Sequence, residues 1–175
     1  MSRDFITTWT GKRFNPLKPD ATKVDIRDIA HALSQLCRFG GHCTKFYSVA
    51  EHSILVSRMV PPEEELAALL HDAAEAYIGD MVTPLKKHMK QFCDAEKPVL
   101  ETIFSALNVL MSEDYMIKEA DHSAFLLEAH ALLSNTEGIP ESDVSEKIHC
   151  YSPKEAEENF LKRYYELVEG YKTRG

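Results

Sequence analysis

Leu66-Ala67-Ala68-Leu69-Leu70-His71-Asp72-Ala73-Ala74-Glu75-Ala76-Tyr77-Ile78-Gly79-Asp80 is the segment around which the rest of this chain is organised. Just upstream, Pro61-Pro62 ends one element and starts another. Pro62 suits a first helical turn, and Glu63-Glu64-Glu65 are favoured there by the helix dipole. Leu66, Leu69, Leu70, Ala73 and Ala74 recur at helical spacing, which predicts one helix running to about Tyr77 and closed by Gly79. An aspartate in the middle of such a helix is costly unless it is paired or coordinated. Glu75 lies four residues after His71 and shares its face in a regular helix. Asp80 follows just past the end. Metal- or proton-competent groups are thus concentrated in a segment otherwise built of leucine and alanine.

Working outward, the apolar period stays helical from residue 25 onward. Ile26, Ile29, Ala30, Leu33, Leu36 and Cys37 define a helix starting near Asp25 and stopping at Phe39-Gly40-Gly41. A second helix is expected over Ser48 to Met59, a short basic one over 83–90, and longer ones over 95–110 and 113–134. Residues 135–151 read as loop. Ser152-Pro153-Lys154-Glu155 is a capping box with proline at the first helical position, opening a last amphipathic helix over 152–172. Before residue 25 the pattern differs: alternation around Phe5, Thr7 and Trp9 and a turn at Gly11-Lys12 predict a short hairpin or an extended arm. The expectation is an all-α single domain over 1–175. It has six to seven helices, an N-terminal arm or hairpin (1–24), a helical core (25–134) and the C-terminal helix.

Composition narrows the function. Twenty Lys+Arg against 28 Asp+Glu give a net charge of −8 over 175 residues, the wrong sign for a duplex nucleic-acid binder. An anionic substrate would need a local basic pocket or a metal ion. No apolar run approaches the roughly 20 residues of a membrane span. Met1-Ser2-Arg3-Asp4 leads into no apolar region, so neither membrane nor secretory leader is expected. Cys37, Cys43, Cys93 and Cys150 form no C-x-x-C pair and read as reduced thiols of a cytoplasmic protein. Gly11-Lys12 lacks the glycine pattern and helix of a phosphate loop.

Two further residues complete a pattern. His52 lies in Tyr47-Ser48-Val49-Ala50-Glu51-His52-Ser53, one helix earlier, and Asp121 lies in Glu119-Ala120-Asp121 on a later one. A lone His-Asp pair arises readily by chance. The ordered set of a helical histidine, Leu-Leu-His-Asp-x-x-Glu-x-x-x-x-Asp and a late aspartate is far more specific, and a helical bundle can turn such side chains inward. With Cys37-Arg38-Phe39, these motifs resemble the HD-domain metal-dependent phosphohydrolases, in particular their small deoxynucleotidases and phage triphosphohydrolases, over roughly residues 26–130.

The resemblance implies a divalent transition metal held by His52, His71, Asp72 and Asp121. Cobalt, manganese, zinc, iron or nickel would suit a mixed nitrogen and oxygen set, and a polyphosphate substrate could bring a second ion, magnesium. It also implies that Glu75 orients or deprotonates the attacking water, that Arg38 clamps the phosphate, and that Phe39 stacks beside the sugar or base. Asp80 would accept from a sugar hydroxyl, and Thr83 and Lys86 would add phosphate contacts. Tryptophan is frequent in the family where this chain has Phe39. The expected activity is hydrolysis of deoxynucleoside 5′-monophosphates, by a homo-oligomer. The alternatives are a deoxynucleoside triphosphate triphosphohydrolase, favoured by Lys45, Lys86, Lys87 and Arg13, and a non-catalytic metal-containing module.

Overall fold

The computed structural model describes residues 4–111 and 115–174. Met1-Ser2-Arg3, on which the expected absence of a leader partly rests, lie outside them. The architecture is all-α with a short N-terminal hairpin. Strands β1 (Ile6–Thr7) and β2 (Arg13–Phe14) pair antiparallel, Ile6 opposite Phe14. The turn runs through Gly11, whose φ of +84° suits glycine. Among the described residues eight α-helices follow: α1 (Ile26–Gln35), α2 (Val49–Arg58), α3 (Glu65–Leu69), α4 (Glu75–Ile78), α5 (Thr83–Lys86), α6 (Lys90–Ala106), α7 (Tyr115–Leu132) and α8 (Pro153–Arg174). No helix among the described residues is long and apolar enough to cross a membrane. All four cysteines are free.

Local chemistry accounts for the main boundaries. Asp25 caps α1 by accepting the Arg27 N–H, and Ser48 caps α2 by accepting from Glu51. The capping box at Ser152 and Glu155 forms in both directions, at 2.9 and 3.4 Å. Helix α1 stops at Leu36 rather than reaching Phe39-Gly40-Gly41. There the chain turns extended: Val49 N–H donates to the Leu36 carbonyl (3.0 Å) and Arg38 N–H to that of Tyr47 (2.9 Å). Arg38–Gly41 then form a tight 3-10 turn in which Phe39 takes a left-handed φ of 56°. Helix α2 is the central element, buried from Val49 through Ser57 and packed by α1, α3, α7 and α8. Helix α6 starts five residues before the expected 95 and α5 stops short of 90.

The largest departure lies in the Leu66–Asp80 segment. The single helix expected there is two short ones, separated by a tightened turn over residues 70–74. Its hydrogen bonds run from residue i+3 to i: Leu70 N–H to Ala67 O (3.1 Å), Ala73 to Leu70 (2.9 Å) and Glu75 to Asp72 (3.0 Å). The His71 side chain takes up the Ala68 carbonyl at 2.8 Å, which replaces part of the lost ladder.

A buried carboxylate ties the long loop to α2. Glu51 accepts from the backbone N–H groups of His149 (2.8 Å), Cys150 (3.0 Å) and Tyr151 (2.8 Å). Cys150 holds a φ of 58°, and this left-handed residue lets three successive N–H groups converge on one anion. Replacing Glu51 by alanine should lower unfolding stability by about 3 kcal/mol, read from the urea midpoint, because three backbone donors lose a buried, charged acceptor.

Candidate metal centre

Each histidine is held through one ring nitrogen so that the other faces a common point. His52 on α2 is fully buried, and its Nδ1 lies 2.6 Å from Glu128 Oε1. An ionised carboxylate can only accept, so Nδ1 carries a proton and donates, and in the neutral ring Nε2 would be the nitrogen left to coordinate. His71, in the broken turn, donates from Nδ1 to the Ala68 carbonyl, which likewise frees its Nε2. Asp72 Oδ2 stands 3.2 Å from His71 Nε2 and 3.7 Å from His52 Nε2. Asp121 Oδ1, from α7, stands 3.1 Å from His52 Nε2 and 4.0 Å from His71 Nε2. The structure therefore brings together all four residues picked out as ligands. His52, His71 and Asp72 offer donor atoms within 4.8 Å of one another and could hold a metal ion.

The donor set fits a cation on two counts. Both imidazole Nε2 atoms are buried without a hydrogen-bond partner, which is costly unless something else coordinates them. The cluster is also rich in negative charge. Burial works against the Asp72 carboxylate, but His71, His52 and Arg38 hold its pKa below the usual carboxylate range. Burial likewise opposes ionisation of Asp121, and His52 outweighs it. Burial and Arg38 disfavour the His52 imidazolium, yet Glu128 and Asp121 raise its pKa to about 9. A proton there stands in for positive charge that a metal ion would supply.

Around this point lie the other expected residues. Glu75 is buried, its Oε2 has no hydrogen-bond partner, and burial, then Asp72 and Asp80, push it up to about 10. Asp80 is raised as well, chiefly by burial. Arg38 gives one Nη2–H to Glu128 (2.9 Å), keeps a buried Nε without a partner, and lies over the Phe39 ring at 5.6 Å. Thr83 is exposed at the start of α5. Lys86, expected to contact phosphate, is paired with Glu96 of α6 at 2.7 Å.

The residue that sequence reasoning missed is Glu128. Its carboxylate is fully buried and joins three site elements, accepting from His52 Nδ1, Arg38 Nη2 and the Tyr47 hydroxyl (3.0 Å). Burial opposes its charge, but His52 and Arg38 hold its pKa down. A signal was present: Glu128 interrupts Leu126-Leu127 and Ala129, as Asp72 interrupts its own apolar run. It also follows Asp121 by two helical turns on the same face of α7.

No family model matches the chain. It is 41% identical over 95 residues to an uncharacterized protein of Rhodobacter capsulatus, covering 49% of this chain and 48% of that one. It is 36% identical over 174 residues to the uncharacterized protein YfdR of Escherichia coli (strain K12), covering 94% of this chain and 96% of the relative. Similarity of that extent, running the length of both proteins, means that the chain belongs to the same family as YfdR.

Proposed function

We propose that this protein is a metal-dependent phosphohydrolase of the HD-domain class that converts deoxynucleoside 5′-monophosphates to deoxynucleoside and phosphate. The observation that carries the reading is the pair of buried, unpartnered imidazole Nε2 atoms of His52 and His71. They are aimed with Asp72 and Asp121 at one point beside a partly buried arginine and a buried glutamate. A divalent ion held there would polarise a phosphoryl oxygen and acidify a neighbouring water.

The remaining steps belong to the chain's own side chains. Arg38 binds the phosphate oxygens through the guanidinium nitrogens that Glu128 leaves free, a planar fork that lysine cannot reproduce. A cation beside Asp72 would offset the negative charge that, with burial, keeps Glu75 protonated, and the ionised Glu75 would then accept the proton of the attacking water as the water oxygen bonds to phosphorus. The bond from phosphorus to the 5′ oxygen breaks, and the leaving oxygen takes a proton to become the nucleoside hydroxyl. Asp80 accepts from the sugar 3′ hydroxyl, and Phe39 packs against the sugar. Phe39 has no N–H to donate, unlike the tryptophan frequent at this place in the HD-domain deoxynucleotidases, so it contributes shape alone.

The triphosphohydrolase reading would need cations to neutralise a longer phosphate chain. The pairing of Lys86 with Glu96 removes one from that role and favours the monophosphate. Product analysis tests the choice. With manganese, cobalt or zinc added in turn, dAMP should yield orthophosphate and dATP no tripolyphosphate. Tripolyphosphate from dATP would transfer the assignment to the triphosphohydrolase, and silence with both substrates would leave a non-catalytic metal module.

A further inference from the structure

Tyr47 is fully buried, and the chemistry proposed above gives it no task. Phenylalanine would fill the same core space without burying a hydroxyl, which is costly to desolvate unless it is bonded. The bond it makes is specific. The hydroxyl donates to Glu128 Oε1 at 3.0 Å, the oxygen that also accepts from His52 Nδ1 at 2.6 Å. The other oxygen, Oε2, accepts from Arg38 Nη2 at 2.9 Å. Burial, then the charges of Glu128 and Glu51, push the phenol far above its ordinary pKa, so the hydroxyl keeps its proton and remains a donor. The main chain adds a second tie. The Tyr47 carbonyl accepts the Arg38 N–H at 2.9 Å, and Ser48, the next residue, caps the helix that carries His52.

We propose that Tyr47 is a positioning residue whose hydroxyl fixes the carboxylate plane of Glu128 and thereby sets His52 for the metal and Arg38 for the phosphate together. The assignment rests on the metal and phosphate sites of the reading above. The last torsion of a glutamate side chain has broad preferences, so the carboxylate plane is set by the groups that donate to it. Among the described residues three side chains donate to Glu128. Two of them, His52 and Arg38, are the ones that a metal ion and a phosphate would pull on. Tyr47 is the third, and it belongs neither to the donor set nor to the phosphate clamp. The carboxylate is thus anchored from outside the site. Without the hydroxyl, Glu128 would follow whichever of its remaining partners moved. An imidazole or guanidinium that is free to swing must be ordered when its ligand arrives, and that ordering is subtracted from affinity. Because one carboxylate serves both groups, loosening it weakens metal and phosphate binding alike.

Tyr47→Phe removes the hydroxyl and keeps the ring, and it tests the assignment. The manganese dissociation constant is measured by chelator competition, and that of inorganic phosphate from the manganese-loaded protein by calorimetry. KM and kcat are measured for dAMP. Losing a partner in direct contact with a metal ligand weakens metal binding about 10–100-fold. Tyr47 stands one hydrogen bond further out, so both dissociation constants should rise about 3–10-fold, with KM following phosphate and kcat held within about twofold. A lost buried hydrogen bond lowers the urea midpoint whether or not Tyr47 positions anything, so the affinities of the folded protein decide. Both constants unchanged within about twofold, or a rise in one alone, would overturn the assignment. If the unmodified protein binds manganese and phosphate yet leaves dAMP intact, the phosphohydrolase reading falls by itself, and the two affinities still decide the role of Tyr47.

Discussion

Asp72→Ala should lose bound metal and phosphate release together, whereas Glu75→Ala should keep the metal and lose turnover. Asp72 Oδ2 approaches both imidazole donors, at 3.2 and 3.7 Å, as Asp121 Oδ1 does from the other side at 4.0 and 3.1 Å. Without it the two Nε2 atoms have no anionic partner from the 70–74 turn. Affinity should fall by at least about 100-fold, beyond what loss of an outer partner costs. Glu75 does not approach either imidazole as Asp72 and Asp121 do, so its removal should leave metal content intact. Its assigned task is to take one proton, and losing a general base lowers kcat by about 10²–10⁴-fold. Metal analysis by mass spectrometry beside steady-state kinetics separates the two variants. Full turnover in Glu75→Ala would remove that residue from the mechanism.

A second large effect is expected at Glu128. Alanine there leaves the Arg38 guanidinium, held at 2.9 Å, without its counter-charge, and leaves the Tyr47 hydroxyl without its acceptor. Removing one member of a buried ion pair costs about 3–5 kcal/mol, because the surviving charge stays desolvated. Unfolding in urea should report that loss. Glu128→Gln keeps the volume but not the charge. It should fold more stably than the alanine variant and still bind metal about 10–100-fold more weakly, since the partner that sets the His52 tautomer has changed. Unaltered metal affinity in Glu128→Gln would show that Glu128 serves stability only.

How much of this was legible depended on whether the signal was local. The hairpin at Gly11, the cap at Asp25 and the capping box at Ser152 each rest on interactions a few residues long, and their chemistry is readable from residue type. The all-α class followed from apolar spacing in the same way. The order of His52, His71, Asp72 and Asp121 marked a candidate centre before any coordinates, because acids inside leucine-rich helices need a reason to be there. The break at 70–74 was not legible. Leucine and alanine favour a continuous helix, and only the tertiary setting shows His71 competing for the Ala68 carbonyl. The role of Glu51 depends on backbone donors nearly a hundred residues later, which no local pattern encodes. Glu128 carried a readable signal that went unused because it matched no motif.

The interrupted winding at 70–74 also bears on any attempt to make this protein more robust. In a regular α-helix two consecutive side chains diverge and cannot reach one shared point. His71 and Asp72 do so because the peptide path between α3 and α4 is overwound. Raising helix propensity through that turn, ordinarily a sound route to thermostability, would here swing one of the two neighbours away. Heat tolerance gained at that spot would be set against the convergence itself, so stabilising substitutions belong on the outer faces of α6 and α8.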